Sequence, residues 1–219
     1  MKNYLLHLIT VNWVVLLAVL LILTSLSAHS QSIDGDWGPP TQAGEYTLYS
    51  RFPVGSSIKQ VKMTGIIHAN MDAVVYALGA VEEYPQWIYN CLVAERVSTK
   101  SPEDFSYYLL IDFPFPLSDR DLEVDAHHYV DGDGVWRGRT VAPLHPKRKP
   151  KEGVVRITYY QVTWALRYLS PHDTHFEYTI SMDPGGYIPT FVTNQFLNEA
   201  PVKTIKALEK QSRKIEGLK

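Results

Sequence analysis

The sequence predicts an α+β fold in which a curved antiparallel sheet wraps around a long C-terminal helix. Short segments rich in Val, Ile, Tyr and Thr recur between turn signals over residues 46–181, at the spacing of successive hairpins. The longest helical pattern comes last, over residues 188–218. A terminal helix with an apolar stripe needs a sheet to cover it.

The elements follow in order. Residues 31–45 (QSIDGDWGPPTQAGE) read as a linker or N-terminal clasp, with Trp37 as its packing anchor. Strands are predicted over 46–52 and 58–68, joined by a Pro-Val-Gly-Ser-Ser spacer. Asn70 then offers an N-cap, and Val74, Leu78 and Val81 repeat at helical spacing. Tyr84-Pro85 ends or bends this helix, because the residue before proline disfavours the helical region. A second short helical turn is predicted over 87–90. Strands follow over 93–99, 105–113, 121–130, 134–141, 154–169 and 174–181, with turns such as Asp131-Gly-Asp-Gly134 between them. In the last helix Ile188, Phe191/Val192, Gln195, Val202, Ile205 and Leu208 form one stripe, which Pro201 should kink.

Composition narrows the function. The chain has 219 residues, 45% of them hydrophobic and 20% charged, with a formal net charge of −2. This is globular composition, and the near balance of charge argues against a broad nucleic-acid surface. One cysteine, Cys91, excludes an internal disulfide framework and predicts a buried thiol. Residues 1–30 carry Lys2 as their one charged side chain, then an unbroken apolar run from Val14 to Leu23. Ala28-His-Ser30 supplies small residues before Gln31, so the segment reads as a secretory signal peptide cut there. The rival reading is an uncleaved anchor over residues 8–28, long enough to cross roughly 30 Å of hydrocarbon. Either reading puts the folded part outside the cytoplasm, periplasmic or secreted. The remaining 189 residues carry 20 Lys+Arg and 23 Asp+Glu, a formal −3.

Strand alternation assigns the inner face. Thr158, Tyr160, Val162, Trp164 and Leu166 share it. So do Leu122, Val124, Ala126, His128 and Val130, and Thr174, Phe176, Tyr178 and Ile180. A core that only had to be solid would favour Leu, Ile and Val. An interior of Tyr108, Trp136, Tyr160, Trp164 and Tyr178 points instead to a lined cavity with scattered hydrogen-bonding groups. The alternative is a packed core whose hydroxyls bond the backbone.

Five motifs, in order, resemble the START (steroidogenic acute regulatory protein-related lipid-transfer) family in its bacterial form. They are Val61-Lys-Met-Thr-Gly-Ile-Ile-His68, Glu83-Tyr-Pro-Gln-Trp87, Pro116-Leu-Ser-Asp-Arg-Asp121, Trp164-Ala-Leu166, and Asp183-Pro-Gly-Gly-Tyr-Ile-Pro189 followed by Asn194. The resemblance implies a helix-grip fold over residues 46–218, enclosing a tunnel for one lipid. It implies carriage of a sterol, phospholipid or other hydrophobic molecule, mostly without chemistry, under a lid that includes residues 183–189. Sterol-carrying animal members place a buried arginine six residues after the Arg of the Arg-Asp pair. Ala126 stands there in this chain, so the cavity salt bridge and the sterol assignment do not carry over. His128 is a substitute polar group.

The candidate ligand-binding residues are therefore Trp87, Tyr108, Arg120, His128, Trp136, Tyr160, Trp164, Tyr178, Phe191 and Gln195. For Arg120 the competing reading is a structural network within Ser118-Asp-Arg-Asp121. Adjacent His127 and His128 point to opposite strand faces, so they do not form a metal site, and no metal or cofactor is expected. The basic run over residues 147–151 suits transient contact with an anionic membrane. The expectation is a monomeric lipid carrier without enzymatic activity. Two alternatives stand. An aromatase- or cyclase-like enzyme would need an inward acid/base pair, such as His128 with a carboxylate within about 3 Å or via one water. An interaction protein with a solid core would be favoured by a structure with no cavity above about 300 Å³.

Overall fold

The computed structural model describes residues 35–217, and among them ten strands form one sheet. The strands are β1 Thr41–Ala43, β2 Tyr46–Arg51, β3 Gln60–Ile67, β4 Cys91–Thr99, β5 Asp104–Ile111, β6 Arg120–Val130, β7 Trp136–Val141, β8 Val155–Arg156, β9 Tyr159–Ser170 and β10 Asp173–Asp183. Their order in the sheet is β1-β2-β3-β10-β9-β7-β6-β5-β4, with β8 paired to β6 off this path. All pairings are antiparallel except the two-residue β6–β8 bridge. Helix α1 spans Met71–Gly79 and is followed by a 3-10 helix, Val81–Gln86. Helix α2 spans Thr190–Glu216 and packs on α1 and β3. The sheet and terminal helix are those the sequence predicts.

Local chemistry explains the boundaries. The Asn70 side chain accepts from Asp72 N at 2.8 Å, satisfying a first-turn donor of α1. Helix α1 ends at Gly79, whose carbonyl accepts from Arg96 of β4. Pro85 lies within the 3-10 helix that follows, so the predicted helical turn over 87–90 is a set of turns instead. Asn90 has a φ of 57°, a left-handed conformation that starts β4 two residues earlier than predicted.

Three other expectations change. The 31–45 segment contains β1, which pairs with β2. Trp37 is indeed a packing anchor, covered by the Arg51 and Lys62 cations at 4.4 and 4.8 Å. The single strand expected over 154–169 breaks at residues 157–158. Val155 N and Ile157 N donate to the carbonyls of Asp119 and Asp121, which draws β8 to the start of β6 and away from the β9 register. The stripe of α2 holds in its second half and shifts in its first. Its buried residues are Thr193, Leu197, Pro201, Ile205, Leu208, Gln211, Ser212 and Ile215. Ile205 and Leu208 are among those predicted, and Ile188 and Val202 pack against the core, whereas Phe191 and Gln195 are exposed and Thr193 and Leu197 take the inward places. The helix runs on through Pro201.

Phe176, Met63, Ile67, Leu122, Leu166, Leu197, Ile205 and Leu208 are among the largest fully buried side chains and join sheet to helix. Among the described residues no helix is long and apolar enough to cross a membrane. The signal-peptide and anchor readings of residues 1–30 lie outside the described residues.

Candidate functional site

The inner face of the sheet is built in cross-strand rows. Phe105, Ala126, Thr140, Val162 and Ile180 stand opposite one another across β5, β6, β7, β9 and β10. A second row runs His128, Gly138, Trp164 and Tyr178. Directly opposed residues share a face, so both rows point to the same side. Gly138 allows the second row. A Cβ there would lie 2.7 Å from the Trp136 ring, which therefore rests flat against the strand. Trp164 packs edge-on to Tyr178 at 4.7 Å between centroids.

These rows line a cavity of about 130 Å³. That is less than the 300 Å³ mark that separates a small-molecule pocket from a solid core. Its extent argues the other way. It touches five strands of the sheet, Leu78 of α1, Tyr84 of the 3-10 helix, Trp87 beyond it, and Phe196, Leu197, Pro201 and Thr204 of α2. The cavity is therefore a slot along the seam between the sheet and α2.

The slot is apolar with a few neutral polar groups. Burial pushes the Tyr84, Tyr107, Tyr160 and Tyr178 hydroxyls above their ordinary value, so all four stay protonated. Tyr84 Oη donates to Leu78 O at 2.5 Å. The Tyr160 and Tyr178 hydroxyls form no hydrogen bond among the described residues. Two buried side-chain polar atoms have no partner among the described residues, the Trp87 indole N–H, whose ring lines the slot, and Ser212 Oγ on α2, which does not. An orphaned buried donor costs about 1–3 kcal/mol, so it is informative. His128 lies between the rings of Phe105 and Trp136, at 6.3 and 5.2 Å. Burial lowers its pKa from 6.5, favouring the neutral imidazole at neutral pH.

One end is closed by aromatics. Phe113, before β6, stacks on Phe196 of α2 at 5.1 Å, and Tyr89 lies 6.2 Å from Phe196. Arg120 holds this closure from behind. It is 2% exposed, its guanidinium sits 4.5 Å over the Phe113 ring, and it donates to the carbonyls of Ser118, Pro184 and Gly185. Gly185 and Gly186 take φ of 64° and 68°, a consecutive left-handed pair that glycine permits, and the resulting turn offers its carbonyls to Arg120. Asn194 bridges the start of α2 to residues 57–59, accepting from Lys59 N and donating to Ser57 O.

Of the ten candidate residues, Trp87, His128, Trp136, Tyr160, Trp164 and Tyr178 line the slot. Four do not. Tyr108 faces the opposite side of β5 and donates to Asp121 Oδ2 at 3.2 Å. Its placement on the inner wall is corrected, because Tyr108 pairs with Glu123 whereas Tyr107 pairs with Val124. Arg120 ties the loops beside the slot, which is the structural reading of its motif. Phe191 is 72% exposed, and Gln195 is exposed and bonds Glu199 at 3.1 Å. Both fall off the buried face because the stripe of α2 shifts in its first half. The sequence reading missed Phe105, Tyr107, Thr140 and Phe196. The signal for the first two was the β5–β6 hairpin register, since Leu122, Val124 and Ala126 were already placed inward.

Other chemistries are answered by geometry. Cys91 is buried, and burial pushes its thiol up to about 12, far from a reactive thiolate. Of the adjacent pair, it is the outward His127 that meets a carboxylate, Asp104 at 3.0 Å, and not the slot-facing His128; His68 and His172 pair with Asp173 and Glu216 away from the slot. Asp131 caps its own hairpin, accepting from Asp133 N and Val135 N and pairing with Arg137. Among the described residues no three His, Cys, Asp or Glu side chains are grouped to hold a metal.

Comparison with known proteins agrees with this architecture. An uncharacterised protein of Pseudomonas aeruginosa is 25% identical over 181 residues, 82% of this chain and 88% of that protein. A phosphatidylcholine transfer protein of Mus musculus is 26% identical over 170 residues, covering 73% and 75% of the two chains. The crystal structure of a STAR-related lipid transfer protein from Xanthomonas axonopodis superposes with a TM-score of 0.73 at 27% identity, over 82% of this chain and 99% of that fragment. The START domain family model matches residues 31–215. A sheet curved over a terminal helix, an aromatic slot between them and a match along most of the chain lead to one conclusion: the protein belongs to the START domain family.

Proposed function

We propose that this protein is a carrier that encloses a hydrophobic ligand, a lipid, in the slot between sheet and α2, outside the cytoplasm. The observation that carries the reading is the slot itself, an apolar lining that keeps neutral polar groups without protein partners. A lipid-transfer name on two relatives supports it. The driving force is removal of apolar surface from water, at about 25 cal/mol per Å². At about 130 Å³ the slot is a closed state that must widen to admit a chain. The elements that separate are the segment before β6, residues 183–189 and the first turns of α2, which meet at Arg120 and at the Phe113–Phe196 stack.

The outer side of this closure suits transient membrane contact. Phe115, Tyr187 and Phe191 are 96%, 99% and 72% exposed on those same segments. Aromatic side chains at an opening rim have somewhere to go when the rim meets a bilayer interface. The small net charge of the chain suits a monomeric carrier that must also release. The enzyme reading lacks its motivating pair, since the slot-facing His128 has no hydrogen-bonded carboxylate. Export from the cytoplasm rests on the signal-like pattern of residues 1–30.

Native mass spectrometry after loading with a lipid extract tests the carrier reading, with a discrete bound-lipid mass expected. Trp164→Ala should reduce that bound fraction more than it reduces thermal stability. A protein that stays unloaded under all lipid conditions would overturn the reading.

A further inference from the structure

The slot states something about its ligand. Trp87 lies at the end of the 3-10 helix, 4% exposed, edge-on to Tyr84 at 5.0 Å. Tyr84 in turn packs on Tyr107 at 5.3 Å, but its hydroxyl is committed to Leu78 O. The indole N–H of Trp87, a donor that cannot accept, is left without a partner among the described residues while its ring lines the slot. Tyr160 and Tyr178 add two hydroxyls with no hydrogen bond among the described residues. Polar groups are retained in an apolar wall where leucine or phenylalanine would pack without an orphan.

The same wall offers nothing to balance a charge. Among the described lining residues the titratable cationic side chains are Arg139, His127, which is paired with Asp104, and His128, whose imidazole lies between the rings of Phe105 and Trp136 with no carboxylate hydrogen bond among the described residues. Arg139 is exposed, and it alternates outward between the inward Gly138 and Thr140. A carboxylate or phosphate drawn into the slot would lose its water and find no buried counter-ion. We infer that the enclosed part of the ligand is uncharged and presents a carbonyl or hydroxyl oxygen that accepts a hydrogen bond from Trp87 Nε1. Any charged headgroup stays at the rim. This rests on the carrier reading and adds the chemical class of what is carried.

The test uses the full chain labelled with 15N-tryptophan and three probes of similar chain length delivered from methyl-β-cyclodextrin. The probes are methyl oleate, oleate and 9-octadecene. The Trp87 indole resonance is assigned by its loss in Trp87→Phe. With methyl oleate it should move downfield, and with 9-octadecene it should not. Methyl oleate should bind about tenfold more tightly than 9-octadecene, the scale of one neutral hydrogen bond, and Trp87→Phe should abolish that margin. If Trp87→Phe does not fold, the shift in the wild-type chain decides alone, with the resonance assigned through the other tryptophans. Methyl oleate bound with an unmoved indole proton overturns the inference and leaves the carrier reading standing. An indole shift with oleate at pH 8 as large as with the ester overturns the requirement for an uncharged group. Failure of all three probes to bind overturns the carrier reading and the inference with it.

Discussion

Buried polar groups stand on both sides of the sheet, and the two sides treat them oppositely. On the outer face Asp121 is fully buried and receives Arg156 at 2.6 and 2.9 Å and Tyr108 Oη at 3.2 Å. Glu123, 2% exposed, accepts from the backbone N–H of Lys147 and Arg148 at 2.9 to 3.1 Å. Arg148 also lies 4.9 Å over the Tyr108 ring. Each of these polar groups has its partner within the chain. On the inner side the polar atoms of Trp87, Tyr160 and Tyr178 have no hydrogen-bond partner among the described residues. The difference separates two uses of buried polarity. A closed network fixes the basic 147–151 loop on the sheet, whereas an open one waits for a partner that the chain does not supply.

The largest break in this comparison should come from Asp121→Asn. It leaves the Arg156 guanidinium, with a side chain 9% exposed, without its buried counter-charge. A loss of about 3–5 kcal/mol in urea unfolding is expected. A loss below about 1 kcal/mol would mean that the network is not closed as described.

A matched pair of hydroxyl deletions sharpens it. Tyr108→Phe removes a hydrogen bond to a carboxylate and should cost about 1.5–3 kcal/mol. Burial and the Asp121 charge push the Tyr108 hydroxyl up to about 12, so it is a neutral donor at any working pH. Tyr178→Phe removes a hydroxyl with no partner and should leave stability within about 0.5 kcal/mol. Equal effects in the two variants would erase the distinction between the faces.

The smallest effect is a pH slope. Burial holds the His128 pKa below 6.5, against the pull of Glu103 and Asp104, and His127 adds to the lowering. The unfolded chain therefore takes up this proton first. Stability from this group is complete above about pH 6.5, declines as pH falls toward the folded value, and then levels. His128→Phe should flatten that decline in melting curves compared between pH 7.5 and 5. An unchanged slope would place the imidazole in water rather than in the slot.

How much of this was legible in the residues depends on the kind of signal. The strands of the sheet stood out because hairpin turns and β-branched or aromatic runs are local. The break at residues 157–158 did not, because it depends on Asp119 and Asp121 of another strand. Trp136, Trp164, Tyr160 and Tyr178 were found by alternation, which works where one face is clearly richer in large side chains. Tyr108 was misplaced because β5 is buried on both faces from Phe105 to Leu109, so alternation there carries no sign. Phe191 and Gln195 were misplaced because α2 buries Thr193, Pro201, Gln211 and Ser212, which an apolar stripe rejects.

The sequence by itself determined the fold class, the order of elements, the aromatic character of the interior and the family resemblance. All of these follow from local pattern and short motifs. Only the tertiary structure decided which polar groups are satisfied. That Arg120 latches two loops, that Arg156 takes Asp121, and that Trp87 is left with a free N–H are facts of pairing between residues distant in the chain. A hydrogen bond is settled by distance and direction in space, and no periodicity along the chain encodes it.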